Sequence, residues 1–325
     1  MTIHPTWQNA LSNAITCTED LYRFLDLEMP QFDLTRAQQS FSLRVPREFV
    51  SRMEKGNPND PLLLQILPQA VEIQKFPGYM SDPVSDLQKN PVPGLLHKYH
   101  GRVLLTLTGG CAINCRYCFR RHFPYSDNIP SRENYARALN YIRDDNTIEE
   151  VIFSGGDPLL LKDCSISKLV TQLEEIPHLQ RLRIHTRLPI VIPQRVTDEW
   201  IEWMRKSRFQ KIIVLHCNHA NEIDDAVFSA LKKLRQENVT LLNQSVLLKN
   251  INDNSKVLIN LSKKIFEAGV LPYYLHLLDK VDGAAHFDVS EEKAKQLMHE
   301  IKKQLPGFLV PKLAREVAGM LHKDF

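Results

Sequence analysis

A chain of 325 residues with 43% hydrophobic content can bury a large core in one or two domains. Its 41 basic and 38 acidic residues nearly cancel, to a formal charge of +3, so charge gives no ground for a nucleic-acid or membrane-surface partner. No apolar run approaches the roughly eighteen residues of a transmembrane helix, and Met1 to Trp7 lack the basic start and apolar stretch of a secretory signal, so a reducing, cytoplasmic setting is expected.

Residues 1 to about 50 carry amphipathic helical pieces, with Leu21, Phe24, Leu25 and Leu27 on one apolar face before Pro30 interrupts it. From 56 to 94 the chain is rich in proline and glycine (Pro58, Pro61, Pro68, Pro77, Gly78, Pro83), which predicts an irregular segment wrapping a core. Residues 1–98 are therefore expected to form a helical and irregular N-terminal extension. From residue 102 short β-branched or Leu-rich runs alternate with stretches of 3.6-residue period, the pattern of a parallel α/β architecture. The strands are predicted over 103–108, 151–154, 182–186, 212–216, 240–246 and 273–277. Between them Tyr135, Leu139 and Ile142 mark one helix, and Ile223, Val227, Leu231 and Leu234 another. Val257, Leu261 and Ile265 mark a third, stopped at Gly269, and Ser290 caps a last helix carrying Ala294, Leu297 and Ile301. Six βα units are too few to close an eight-stranded barrel. A core over 99–306 and a C-terminal tail over 307–325 complete the expected division.

After the first of these strands come Cys111, Cys115 and Cys118, separated by three and then two residues, so one loop can present three thiolates to one metal centre. A four-iron cluster normally takes four thiolates, and three leave one iron open to an outside ligand. The same cysteines with His122 could instead hold a structural zinc. Structural zinc more often shows two CxxC pairs and this chain has one, which favours the cluster and leaves zinc open. Disulfides between such close neighbours are disfavoured in a chain without a secretory signal. Cys17, Cys164 and Cys217 are expected to be buried or half-buried thiols.

The CxxxCxxC loop followed by Ser154-Gly155-Gly156-Asp157-Pro158 resembles the radical S-adenosylmethionine (SAM) enzymes. Within them, Cys-Arg-Tyr-Cys-Phe-Arg-Arg, His-Thr-Arg-Leu-Pro-Ile-Val-Ile-Pro-Gln-Arg (185–195), Asn-His-Ala-Asn-Glu-Ile (218–223), Asn-Gln-Ser-Val-Leu-Leu-Lys-Asn-Ile-Asn-Asp (243–253) and Pro-Tyr-Tyr-Leu-His (272–276) resemble lysine 2,3-aminomutases. Residues 52–63, 93–100 and 310–316 are similar to the subgroup that supplies (R)-β-lysine for modifying elongation factor P. The resemblance runs from about residue 40 to the end.

The resemblance implies a partial (β/α)6 TIM-like barrel with its functional residues at the C-terminal ends of the strands. It implies a 4Fe-4S cluster on Cys111, Cys115 and Cys118, with SAM on the open iron beside Ser154, Gly155, Gly156, Asp157 and His216. Pyridoxal 5′-phosphate (PLP) would be held by Lys323 and contacted by Tyr99, Arg102 and Gln244. Arg120 would pair with the substrate carboxylate, as a guanidinium can bidentately, and Asp279 with Glu316 would hold the ε-ammonium. Without the resemblance, Gly155-Gly156 is an ordinary strand-to-helix turn, Arg120 one of a basic run and Lys323 a solvated terminal charge. Two departures stand out. The glycine-rich stretch before the lysine is replaced by Val317 to His322, and Asn254 stands where lysine-degrading relatives carry a zinc-binding Cys, so no zinc is predicted. The expected activity is conversion of (S)-α-lysine to (R)-β-lysine, fed by an external electron donor and followed by a ligase acting on elongation factor P; a homo-oligomer is allowed. The rivals are an aminomutase for another amino acid and a Cys-rich zinc-binding interaction module.

Overall fold

The computed structural model describes residues 6–30, 34–128, 132–320 and 322–323. Eight strands form one sheet in chain order: β1 (Leu95–Tyr99), β2 (Arg102–Thr108), β3 (Glu150–Gly155), β4 (Arg181–Thr186), β5 (Gln210–His216), β6 (Thr240–Val246), β7 (Leu271–His276) and β8 (Lys312–Ala314). β1 runs antiparallel to β2, and every later neighbour is parallel. Among the described residues β1 and β8 do not pair, so the barrel stays open.

The parallel crossovers are helices: α1 (Arg132–Asp144), α2 (Asp163–Glu174), α3 (Asp198–Lys206), α4 (Asp225–Arg235), α5 (Ser255–Glu267) and α6 (Glu291–Gln304). Their caps follow from sequence. Thr197 Oγ1 accepts from Trp200 N at 3.1 Å, Asp224 Oδ1 from Val227 N at 2.9 Å and Ser290 Oγ from Lys293 N at 3.3 Å, each satisfying a first-turn donor. Asn254 caps α5 through Lys256 N at 2.9 Å. Gly269 ends α5 at φ +84, the left-handed turn expected there.

β2 to β7 are the six predicted strands, and the edge strands are additions. β1 turns into β2 through Gly101 at φ +76, a hairpin hidden behind the proline-rich segment. β8 is three residues long, too short to show a period.

Alternation places the apolar partners outward. Val103, Leu105, Val151, Phe153, Leu182, Ile184, Ile213 and Leu241 are buried, in one core with α1 to α5 residues such as Ile142, Leu173, Trp200, Leu231 and Ile265. Each fully buried side chain of this kind contributes about 1.5–3 kcal/mol. The opposite face of the same strands carries Arg102, Glu150, Ser154, Arg183, His185, His216, Gln244 and His276, polar side chains turned to the barrel interior. Four short helices (Trp7–Ser12, Thr18–Phe24, Thr35–Ser40 and Arg47–Val50) and an irregular run to residue 94 precede the sheet. No described helix is long and apolar enough to cross a membrane.

Candidate active site

Register gathers the interior polar residues. Thr106 lies beside Ser154, and His216 beside Gln244. Gln244 Nε2 and His216 Nε2 are 2.9 Å apart, and the His185 and His216 rings meet edge-on at 6.0 Å. Burial, and then nearby cations, hold His216 down at about 3 and His185 and His276 well below the usual imidazole range, so all three are neutral at pH 7. His185 Nε2 is buried with no hydrogen-bond partner among the described residues. An unpaired polar atom on an inner face is one a bound cofactor would satisfy.

At the end of β2 the three cysteines of the loop are free thiols. Burial and the neighbouring thiols push Cys118 up to about 11 and Cys111 well above the usual range. Thiolates gathered on one short loop repel one another unless a multivalent cation joins them, and iron removes their protons outright. The donor set thus fits a cluster. His122, the fourth ligand of the zinc alternative, is exposed with Nε2 3.2 Å from the Asp282 carbonyl.

The loop is clamped from beneath. Arg116 and Arg121, fully buried in their side chains, share Glu72, at 2.5 and 2.9 Å. Arg116 N donates to Gln65 O at 2.8 Å and Asn114 N to Arg44 O at 2.9 Å, so the N-terminal extension holds the middle of the loop.

The turn after β3 presses on the same loop. A Cβ at Gly156 would stand 2.0 Å from Gly110 O, and Gly155 takes φ +125, so neither position accommodates a side chain. The Gly109–Gly110 backbone stands against Gly156, and the Thr108 carbonyl against Gly155. Gly156 N already donates to Thr108 O at 2.7 Å, and the Gly155 carbonyl accepts from Tyr125 Oη at 2.8 Å. Asp157 is likewise engaged. Its carboxylate accepts from Thr186 Oγ1 (2.8 Å), Arg187 N (2.8 Å), Leu188 N (3.1 Å) and Leu159 N (3.1 Å), tying the β3 turn to the β4 turn. Protein donors thus reach both of its oxygens.

A second group of charges faces this machinery. Arg120 Nε donates to Asp86 Oδ2 at 2.7 Å and its Nη1 to Ser154 Oγ at 3.3 Å. Lys98 Nζ bridges Asp86 at 2.5 Å and Glu316 at 2.8 Å. Lys323 Nζ reaches 3.6 Å from Glu316, 3.5 Å from His276 Nε2 and 5.3 Å from the Tyr274 ring centre. Burial lowers its ammonium from the usual lysine range against the pull of Glu316 and Asp279. Asp279, after β7, is held up at about 7 by burial and then by Glu316. Tyr99 and Arg102 flank the β1–β2 turn, the guanidinium 4.6 Å from the ring centre, at the opposite end of β2 from the cysteines.

The structure therefore brings Lys323, Glu316 and Asp279 together, and places Arg120 against Ser154. Asp86, Lys98, Glu72 and Gln65 complete the surroundings and escape sequence reasoning. His185 and Glu222 join them from the stretches 185–195 and 218–223, the first of which closes a strand at the functional end of the barrel.

A family model described as the Radical SAM superfamily matches residues 105–261. The chain is 53% identical over 315 residues to the L-lysine 2,3-aminomutase of Escherichia coli (strain K12), spanning 96% of this chain and 92% of that one. It is 51% identical over 318 residues to the enzyme of the same name from Haemophilus influenzae, at 98% and 94% coverage. The Clostridium subterminale L-lysine 2,3-aminomutase is 33% identical over 316 residues, 96% of this chain and 76% of that protein.

Proposed function

The chain belongs to the L-lysine 2,3-aminomutase family of radical SAM enzymes, and from that premise we propose that it moves the α-amino group of (S)-α-lysine to C3, giving (R)-β-lysine. When bound, a 4Fe-4S cluster with SAM supplies the radical and PLP supplies the carrier for the migrating nitrogen. Cys111, Cys115 and Cys118 hold the iron. Ser154, Gly155, Gly156, Asp157 and His216 form the SAM side of the cavity, with Asp157 acting through the turns it ties. Lys323, whose ammonium burial disfavours, would hold PLP, and Tyr99, Arg102 and Gln244 line the rest of that site.

Arg120 receives the substrate carboxylate. Its Nε edge rests on Asp86, which fixes the plane of the fork. Asp279 and Glu316 receive the ε-ammonium. The observation that carries this assignment is Glu316 itself, which already accepts two ammonium groups, Lys98 and Lys323. An ε-ammonium brought to Asp279 gains a carboxylate partner, whereas a neutral or acidic side chain gains none, so the pair favours lysine. In this division the extension (1–98) buttresses, the core (99–306) generates the radical and the tail (307–325) brings the amine.

The test is an anaerobic assay of reconstituted protein with SAM, PLP, dithionite and lysine, separating α- from β-lysine. β-Lysine is expected from the native chain and from neither Lys323→Ala nor Cys118→Ala. SAM cleavage without β-lysine in the native chain would redirect the search to another amino acid. The product, in the same reading, passes to a ligase acting on elongation factor P, and a one-electron donor of the cytoplasm feeds the cluster. Deleting the gene should then lower the mass of elongation factor P by the β-lysyl group; an unchanged mass would remove the link.

A further inference from the structure

Arg187 closes β4 and carries no role in the reading above. Its side chain is 6% exposed and spans a short path. Nη1 donates to Cys115 Sγ at 2.7 Å and to Tyr117 Oη at 2.8 Å; Nη2 donates to Gln65 Oε1 at 2.7 Å and to Glu222 Oε2 at 2.8 Å. The Phe49 ring lies 5.3 Å from the guanidinium carbon. Glu222 is itself immobilised, with Oε1 accepting from Asn218 N at 2.8 Å and His219 N at 3.0 Å. Every anchor therefore fixes one orientation, in which the positive N–H edge meets the sulfur and the counter-charge stands behind it.

We propose that Arg187 is a positioning residue that sets the reduction potential of the cluster by donating an N–H···S bond and a permanent positive charge to the Cys115 thiolate. One-electron reduction of the oxidised cluster, with dithionite as the donor, places one further negative charge on the iron–sulfur core and its thiolates. Hydrogen bonds to the sulfurs and local charge are the levers that tune that step. A guanidinium stays charged at any working pH, so it favours the reduced cluster throughout. Glu222 opposes it, but from the far edge of the guanidinium, and the nearer charge prevails. Gln65 and Glu222 reach this arginine from the N-terminal extension and from beyond β5, so both segments bear on the potential without touching the iron.

The inference rests on the reading that Cys111, Cys115 and Cys118 hold a 4Fe-4S cluster, and iron and sulfide content measured on every sample separates the two. Native, Arg187→Gln and Arg187→Lys proteins, reconstituted anaerobically without SAM, would be titrated potentiometrically with electron paramagnetic resonance as the readout. At matched iron content Arg187→Gln is expected to lower the reduced-to-oxidised ratio at a fixed potential about tenfold, roughly 59 mV for one electron. Arg187→Lys recovers part of that loss. A fully loaded Arg187→Gln protein that titrates with the native one overturns the proposal. Native protein carrying 15N-arginine answers the same question without a variant: the reduced cluster should show a 15N coupling, and its absence overturns the proposal even if Arg187→Gln does not fold. A native protein that takes up no iron and sulfide overturns both readings.

Discussion

Asp279 is surrounded by Glu316, Lys323, Lys98 and Asp86, and keeps its proton up to about pH 7 because burial, and then Glu316, disfavour the carboxylate. The proposed hold on the ε-ammonium needs that carboxylate. The KM for lysine should therefore rise as pH falls through 7, with kcat less affected, in steady-state assays from pH 6 to 9. Asp279→Asn should flatten that profile and raise KM by roughly 30-fold, the effect of losing about 2 kcal/mol from a buried charge contact. The linkage has the opposite sign for stability. A carboxyl whose folded value is raised above the ordinary one contributes fully below about pH 4 and loses that contribution as pH rises through 7. Asp279→Asn should thus melt higher than the native chain at pH 8 in the absence of ligands, and a lower Tm there would contradict the account. At this scale the sequence shows which acids and bases exist and says little about who meets whom. Lys98 finds Glu316 across 218 positions, and no local pattern encodes such a pair.

Between residue and molecule, the cysteine loop and the turn after β3 behave as one element. Gly156 leaves no room for a Cβ against Gly110, so Gly156→Ala must part the two turns. It should lower iron retention after reconstitution several-fold while far-ultraviolet circular dichroism stays native. Beneath the loop, Glu72→Ala strands two buried guanidinium groups, which costs about 3–5 kcal/mol; a left-shifted urea midpoint is the expected result, and an unmoved midpoint would show that the clamp is dispensable. Strands β2 to β7 are legible because each alternates an outward apolar residue with an inward polar one, and capped helices separate them. β1 and β8 are not, since one follows a proline-rich run and the other is three residues long. The extension is legible as irregular. Its purpose is not, because Gln65, Glu72 and Asp86 act only through partners brought near by the barrel.

For the whole molecule, the matched family segment, 105–261, contains the cysteines, Ser154, Arg187, His216 and Gln244. Lys98, Tyr99 and Arg102 precede it; Asp279, Glu316 and Lys323 follow it. A chain ending at Val317 keeps β8 and the buried Ala314, so it should still bind iron and release 5′-deoxyadenosine from SAM, yet form no β-lysine. Loss of SAM cleavage in that chain would show that the tail also serves the radical step. The cysteine loop and Arg120 thus lie in one contiguous block, whereas Lys98, Asp279, Glu316 and Lys323 lie at its two flanks and meet because the open barrel brings its edges together. Changes confined to the two ends of the chain can therefore alter the proposed ammonium site while leaving the cysteine loop untouched.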